Sequence, residues 1–224
     1  MLNTIKSYAK INLFLNVVDK LDTGFHELNS VLSRIDLYDE IRIKDESSFS
    51  ISYNGPFGDQ VGSNDHVSKL FNYLIDKNYL KQKSFAIHVV KNIPVGSGLG
   101  GGSSNVAEII KYLIRSNLLD NSSSTEIARD LGSDIEFFID EGSALISGKG
   151  NVDQRLKINS EKHFLIVFPN VQNSTKDIFN KHSNLSGEKF SYNKDTNLDG
   201  ILKGTSNELE KTALFANQEM KKIR

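Results

Sequence analysis

The segment with the clearest chemistry is Pro94-Val95-Gly96-Ser97-Gly98-Leu99-Gly100-Gly101-Gly102-Ser103-Ser104, which holds five glycines within positions 96–102. Glycine has no Cβ, so its backbone can approach an anion closely and can take positive φ. A strongly periodic helical pattern follows, and the amides and dipole at a helix N-terminus favour negative charge. The chemistry this arrangement suits is phosphate binding. The stretch does not end in G-K-[ST], so it is not an ATPase-type P-loop. Gly96, Gly98 and Gly101 formally satisfy G-x-G-x-x-G. A dinucleotide fold would follow that helix with a strand ending in an acidic residue. Here the helix leads to Leu118, Leu119 and a serine-capped second helix, so the fingerprint is only formal.

Other reactive side chains are less telling when taken one at a time. Lys10 is a lone cation on the polar face of the first strand, where a solvated surface lysine is the ordinary reading. Asp134 follows Gly132 and Ser133 at the end of a helical segment, where an aspartate can equally cap the next turn. The five histidines have no metal-ligand spacing, so a zinc site is not expected. His26 by itself is a turn histidine, and Phe179 by itself is a core residue of a short helix.

The elements that must position these groups can be read from periodicity. Ile5, Ser7, Ala9, Ile11, Leu13, Leu15 and Val17 share one face of an extended segment, with Lys10, Asn12 and Asn16 on the other. Asp22, Thr23 and Gly24 form a turn. Leu37–Lys44, Phe49–Tyr53, Phe85–Val90, Ala144–Ser147 and Phe164–Phe168 read as strands. Asn64 or Asp65 caps a helix whose buried stripe is Val67, Leu70, Phe71, Leu74 and Ile75. Ser103 and Ser104 are expected to cap the helix of Val106, Ile109, Ile110, Leu113 and Ile114. Further helices are expected at Thr125–Leu131, near Thr175–His182 and from Ser206 onward. Gly148–Gly150 and the polar stretch to Ser160 read as a junction between lobes, and a polar loop is expected up to Gly204. The clustered strands and helices make an α+β pattern in two lobes, 1–150 and 151–224.

Composition sets outer limits. At 224 residues the chain can hold one large domain or two small ones. A formal net charge of −1 argues against a generally basic nucleic-acid binder. With no cysteine, disulfides, cysteine nucleophiles and thiolate metal sites are excluded. No run approaches the roughly 20 apolar residues of a membrane span, and the opening segment has no signal-type apolar core. A cytoplasmic protein that binds neither membrane nor nucleic acid is expected.

Taken together, the segments resemble a known family. The glycine loop is similar to the second motif of the GHMP kinases, P-x-x-x-G-L-G-S/G-S-S. Its triple-glycine form resembles the branch that phosphorylates 4-diphosphocytidyl-2-C-methyl-D-erythritol in non-mevalonate isoprenoid synthesis. Ala9–Leu15, Gly24–Leu28, Leu131–Ile135 and Thr175–Phe179 resemble further segments of that branch, in its order. The resemblance implies a two-lobed fold of mixed sheet with helices, its second lobe ferredoxin-like and incomplete here. It implies ATP, with Mg²⁺ whose ligands are not assigned, bound along Pro94–Ser104. Lys10 and Asp134 become the catalytic pair, Asp134 accepting the hydroxyl proton or holding Lys10. Phe25 and His26 lie at the cytosine, with His26 hydrogen-bonding its edge, Phe179 stacks on it from the other side, and Asn12 and Thr175 contact the sugar alcohol and its diphosphate. The partner is then a cytidine-diphosphate-linked sugar alcohol.

Two departures from the family pattern stand out. Glu136 replaces a proline in what reads as a loop, and no glycine follows Gly204, so the third, glycine-rich motif is not found before Arg224. From this, slow turnover or self-association through the second lobe is expected. The alternatives are another GHMP kinase, such as a homoserine kinase, and a non-catalytic nucleotide-binding remnant.

Overall fold

The computed structural model describes residues 3–22, 24–63, 65–80, 85–158, 162–169, 175–182, 198–203, 207–217 and 220. It is α+β, and the chain forms two compact units, each assembled from several stretches. The first comprises residues 1–9, 35–95 and 99–141; the second comprises 10–34, 96–98 and 142–224.

The long strands β1 (Asn3–Lys20) and β2 (His26–Asp45) pair with each other and contribute residues to both units. In the first unit, the end of β2 runs antiparallel to β4 (Phe85–Val90), from Glu40 opposite Val90 to Asp45 opposite Phe85. β3 (Ser50–Asn54) lies parallel to β4. Parallel neighbours need a crossover, and α1 (His66–Asp76) supplies it. Asp65 caps α1 by accepting from the amides of Val67 and Ser68 at 2.8 and 3.0 Å. Phe85, Ile87 and Val89 alternate inward along β4 and are essentially fully buried. Val67, Leu70, Phe71 and Leu74 of α1 are buried as well. The expected stripe differs at Ile75, which is 56% exposed at the end of the helix.

α2 (Gly101–Arg115) buries Val106, Ile109, Ile110 and Leu113 and packs on α1 and on α4 (Ser133–Ile139). α3 (Ser124–Leu131) lies against α4. Glu136 therefore sits in a helix, not a loop. It accepts two hydrogen bonds from Arg129 of α3, at 2.9 and 3.1 Å, and so fixes the α3–α4 elbow.

In the second unit β1 and β2 form a hairpin whose turn has Gly24 at φ +81°. β5 (Ser143–Gly148) pairs antiparallel with the start of β2, and β6 (Asn151–Leu156) pairs antiparallel with β5. The expected polar junction is thus partly a strand. Gly148 and Gly150, both at positive φ, turn the chain back on itself there. α6 (Leu198–Lys203) likewise replaces part of the expected polar loop. Its Leu198 and Ile201 complete a core with Leu13, Phe14, Val31 and Leu156. α5 (Thr175–Lys181) and α7 (Leu209–Ala216) pack together, with His182 Nδ1 and Thr212 Oγ1 3.0 Å apart. α7 starts later than expected, after Asn207 and Glu208 attach to Leu15 of β1. Residues 162–169 form no strand, and Leu165 there is 90% exposed.

Candidate active site

The glycine loop takes its form from backbone requirements. Gly96, Gly98 and Gly100 have φ of +69°, +76° and +73°, a region that costs other residues about 1–2 kcal/mol. Gly100 is the N-cap of α2, so the helix begins at Gly101 and not after the serines. The expected serine cap is therefore corrected: Ser103 and Ser104 lie inside the first turn. The Ser104 amide donates to the Gly100 carbonyl at 2.9 Å. Ser104 is 1% exposed, and its hydroxyl accepts from Ser7 of β1 at 2.8 Å. The amides of Gly101, Gly102 and Ser103 come before any carbonyl the helix could offer them, which leaves them as donors at the helix start. Pro94 and Leu99 are buried and anchor the two limbs of the loop, whereas Val95 and Ser97 are half-buried.

Beneath the loop is a buried ion pair that periodicity did not reveal. Lys91 and Asp39 bond directly, with side chains 5% and 0% exposed. Asp39 also accepts from the amides of Asn92 and Ile93, at 2.7 and 2.9 Å, so it holds the residues that lead into Pro94. A Cβ on Gly101 would stand 3.1 Å from Lys91 Nζ and 2.9 Å from Ile93 Cγ2. A Cβ on Gly102 would stand 2.8 Å from Nδ1 of His66. His66 is thus packed against the first turn of α2. Loss of solvent around its ring, and the charge of Lys69, push its pKa below the ordinary histidine value, while Asp65 and Asp134 oppose this. Asp134 is half-buried in the first turn of α4.

In the second unit Lys10 is 6% exposed, so the solvated-lysine reading does not hold. Its Nζ donates to Asn12 Oδ1 at 2.9 Å, and Asn12 Nδ2 donates to Ser30 Oγ at 2.9 Å. Ser30 in turn donates to the Phe14 carbonyl at 2.6 Å. Desolvating an ammonium is costly unless it is hydrogen-bonded, and this relay contributes one of its acceptors.

The proposed base-reading residues gather in the same unit. His26 stacks on Phe179 with ring centroids 5.3 Å apart. Burial, then the charges of Lys20 and His182, hold the His26 pKa below the ordinary value. Phe25 is 60% exposed, and the Lys149 ammonium lies 4.9 Å above its ring. Thr175 opens α5, but its side chain lies outside the described residues. Among the described residues no group of three or more His, Asp or Glu can hold a metal, and no helix is long and apolar enough to cross a membrane.

Sequence reasoning missed Ser30, His66, Lys149 and the Asp39–Lys91 pair. A lysine placed just before a glycine loop was the available signal for the last of these.

Comparison with known proteins gives a consistent result. Residues 65–145 match the GHMP kinases N terminal domain. A 4-diphosphocytidyl-2-C-methyl-D-erythritol kinase of Pelagibacter ubique is 35% identical over 225 residues, covering 98% of this chain and 79% of the relative. The kinase of that name from Caldicellulosiruptor saccharolyticus is 32% identical, covering 92% of this chain and 72% of the relative. A crystal structure of a 4-(cytidine 5'-diphospho)-2C-methyl-D-erythritol kinase superposes with a TM-score of 0.73 at 24% identity, covering 99% of this chain and 81% of that one. The Methanococcus jannaschii mevalonate kinase shares the fold, with a TM-score of 0.53 at 16% identity, covering 100% of this chain and 80% of that one. The mixed sheet and helices are the fold the sequence implied, and the chain belongs to the 4-diphosphocytidyl-2-C-methyl-D-erythritol kinase family of GHMP kinases.

Proposed function

We infer that this chain transfers the γ-phosphoryl group of ATP to the 2-hydroxyl of 4-diphosphocytidyl-2-C-methyl-D-erythritol, in the cytoplasm. The observation that carries this reading is 35% identity, along 98% of the chain, to a kinase of that name. The hydroxyl oxygen attacks the γ-phosphorus, the bond to the β,γ-bridging oxygen breaks, and ADP leaves. Such a transfer is catalysed mainly by positioning and by neutralising charge.

The amides of Gly101–Ser103 and the dipole of α2 are suited to the triphosphate. Lys10 supplies a fixed cation for the reacting oxygens, and Asp134 is the anionic partner, receiving the hydroxyl proton or orienting Lys10. Phe25, His26 and Phe179 are assigned to the cytosine, and Asn12 and Thr175 to the diphosphate and sugar alcohol. Mg²⁺ would accompany ATP and offset its charge. This ion is commonly held by phosphates and only one or two carboxylates, and the half-buried carboxylate of Asp134 is a donor of that kind. The lobe division near Gly150 remains part of this proposal.

The test is a coupled ADP-release assay with the cytidyl substrate, homoserine and mevalonate in parallel. Release with the cytidyl substrate alone is expected. Release with either of the others but not with the cytidyl substrate would replace this reading.

A further inference from the structure

Ser30 has no place in the resemblance, yet it is the far end of the relay from Lys10. We propose that Ser30 is a positioning residue for phosphoryl transfer, acting by selecting which end of the Asn12 amide faces Lys10. The proposal rests on the proposed role of Lys10.

Donor and acceptor counts fix the orientation of the Asn12 amide. A serine hydroxyl has one hydrogen and two lone pairs. The Ser30 hydrogen is committed to the Phe14 carbonyl at 2.6 Å. Toward Asn12, 2.9 Å away, Ser30 can therefore only accept, which draws in the amide NH₂. The other end of that amide, Oδ1, must then face Lys10, whose Nζ donates to it at 2.9 Å. With the amide reversed, an NH₂ group would meet an ammonium, two donors face to face. Ser30 is 2% exposed and Lys10 6%, so water has little access to repair the mismatch.

Removing the Ser30 hydroxyl takes away the acceptor that holds the Asn12 NH₂, so the amide is held at one end only and can tilt away from Lys10. The ammonium then loses one of its acceptors and shifts, and a displacement of about an ångström can cost 10²-fold in rate.

The test compares Ser30→Ala and Ser30→Thr with the parent and with Lys10→Ala in the coupled assay. Ser30→Ala is expected to lower kcat about 10-fold or more, with KM for ATP changed by less than about 2-fold. Its melting point should stay within about 4 °C of the parent. Ser30→Thr, which keeps the hydroxyl, should restore kcat to within about 3-fold of the parent. A parental kcat in Ser30→Ala, or a Ser30→Thr as impaired as Ser30→Ala, overturns the proposal. If Ser30→Ala does not fold, Ser30→Cys, close in volume but a weak acceptor, takes its place with the same expectations. Parental turnover in Lys10→Ala would overturn the underlying reading of Lys10. An inactive Lys10→Ala beside a parental Ser30→Ala removes only the role of Ser30.

Discussion

The imidazole of His26 lies on the ring of Phe179, with centroids 5.3 Å apart and planes inclined by 27°. One ring opens β2 and the other sits in α5, so the stack ties a strand to a helix far along the chain. A base held between two rings needs about 7 Å between them, twice a van der Waals separation of about 3.5 Å. Cytosine between Phe25 and Phe179, with His26 bonding its edge, therefore requires Phe179 to part from His26 and exchange one stacking partner for another. Phe179→Ala is then expected to weaken cytidyl-substrate binding by about 1–3 kcal/mol, the scale of base–aromatic stacking. ATP affinity should not change. Titration calorimetry with each ligand checks this, and an unaltered cytidyl affinity would assign the ring to packing alone.

His26 and His66 both have pKa values held below the ordinary histidine value, chiefly by burial. Each native ring resists protonation more than it does in the unfolded chain. As pH falls through about 6.5, the unfolded state takes up protons first, so stability falls with pH there. Above that value the contribution is flat, and below the native pKa it levels off again. Urea unfolding between about pH 7.5 and 5 should show this decline, and His26→Gln should make it shallower. An unchanged slope in that variant would remove His26 as a source.

The glycines of the loop should not be equivalent. Gly98 has positive φ, but a Cβ there would meet nothing within 4 Å. Gly98→Ala should therefore cost only the backbone strain, about 1–2 kcal/mol. Gly101 is closed in by Ile93, at 2.9 Å from the ideal Cβ, and by Lys91 Nζ at 3.1 Å. Gly101→Val should shift the start of α2 and weaken ATP binding more than Gly98→Ala does. Gly100→Val, at φ +73°, should also weaken ATP binding while leaving the cytidyl substrate unaffected. Equal losses of ATP affinity at 98 and 101 would show that contacts beneath the loop are unimportant.

Elements with a strong local period were legible in the sequence. β4 spans Phe85–Val90 as its alternation requires, and α1 follows its aspartate cap. α2 starts at least three residues earlier than the serine caps imply, because a left-handed Gly100 ends the loop before the serines are reached. β6 gave little signal, since Leu156 is its one buried side chain. Phe164–Phe168 has the composition of a strand, but a strand is defined by its partner and not by its own residues. The burial of Lys10 depends on Asn12 and on Ser30 of the neighbouring strand, and no pattern local to β1 contains that information.

Lys10→Ala and Asp134→Asn should each remove most turnover while the chain still folds. Lys10 truncation leaves Asn12 Oδ1 without its 2.9 Å donor, a cost of about 1–3 kcal/mol if the oxygen stays dry. Circular dichroism and melting points should thus show a folded, slightly destabilised protein, while the coupled assay shows little ADP release at saturating substrate. Near-parental release in both variants would overturn the assignment of the pair.

The Asp39–Lys91 pair should be the most sensitive point beneath the loop. Asp39 is fully buried and serves three donors at once, the Lys91 ammonium and the amides of Asn92 and Ile93. Asp39→Ala strands a buried ammonium and two amides together, and breaking such a pair typically costs about 3–5 kcal/mol. The loss should appear as a lower urea midpoint and as weaker ATP binding, because the residues released lead directly into Pro94. Asp39→Asn keeps an acceptor for the amides but not the charge, so it should fall between Ala and the parent. Lys91→Met in the Asp39→Asn background removes the stranded cation and should recover part of the stability. It should recover less of the ATP affinity if the ammonium beside Gly101 also contributes to the field at the helix start. Full recovery of both would mean that the pair serves the fold alone.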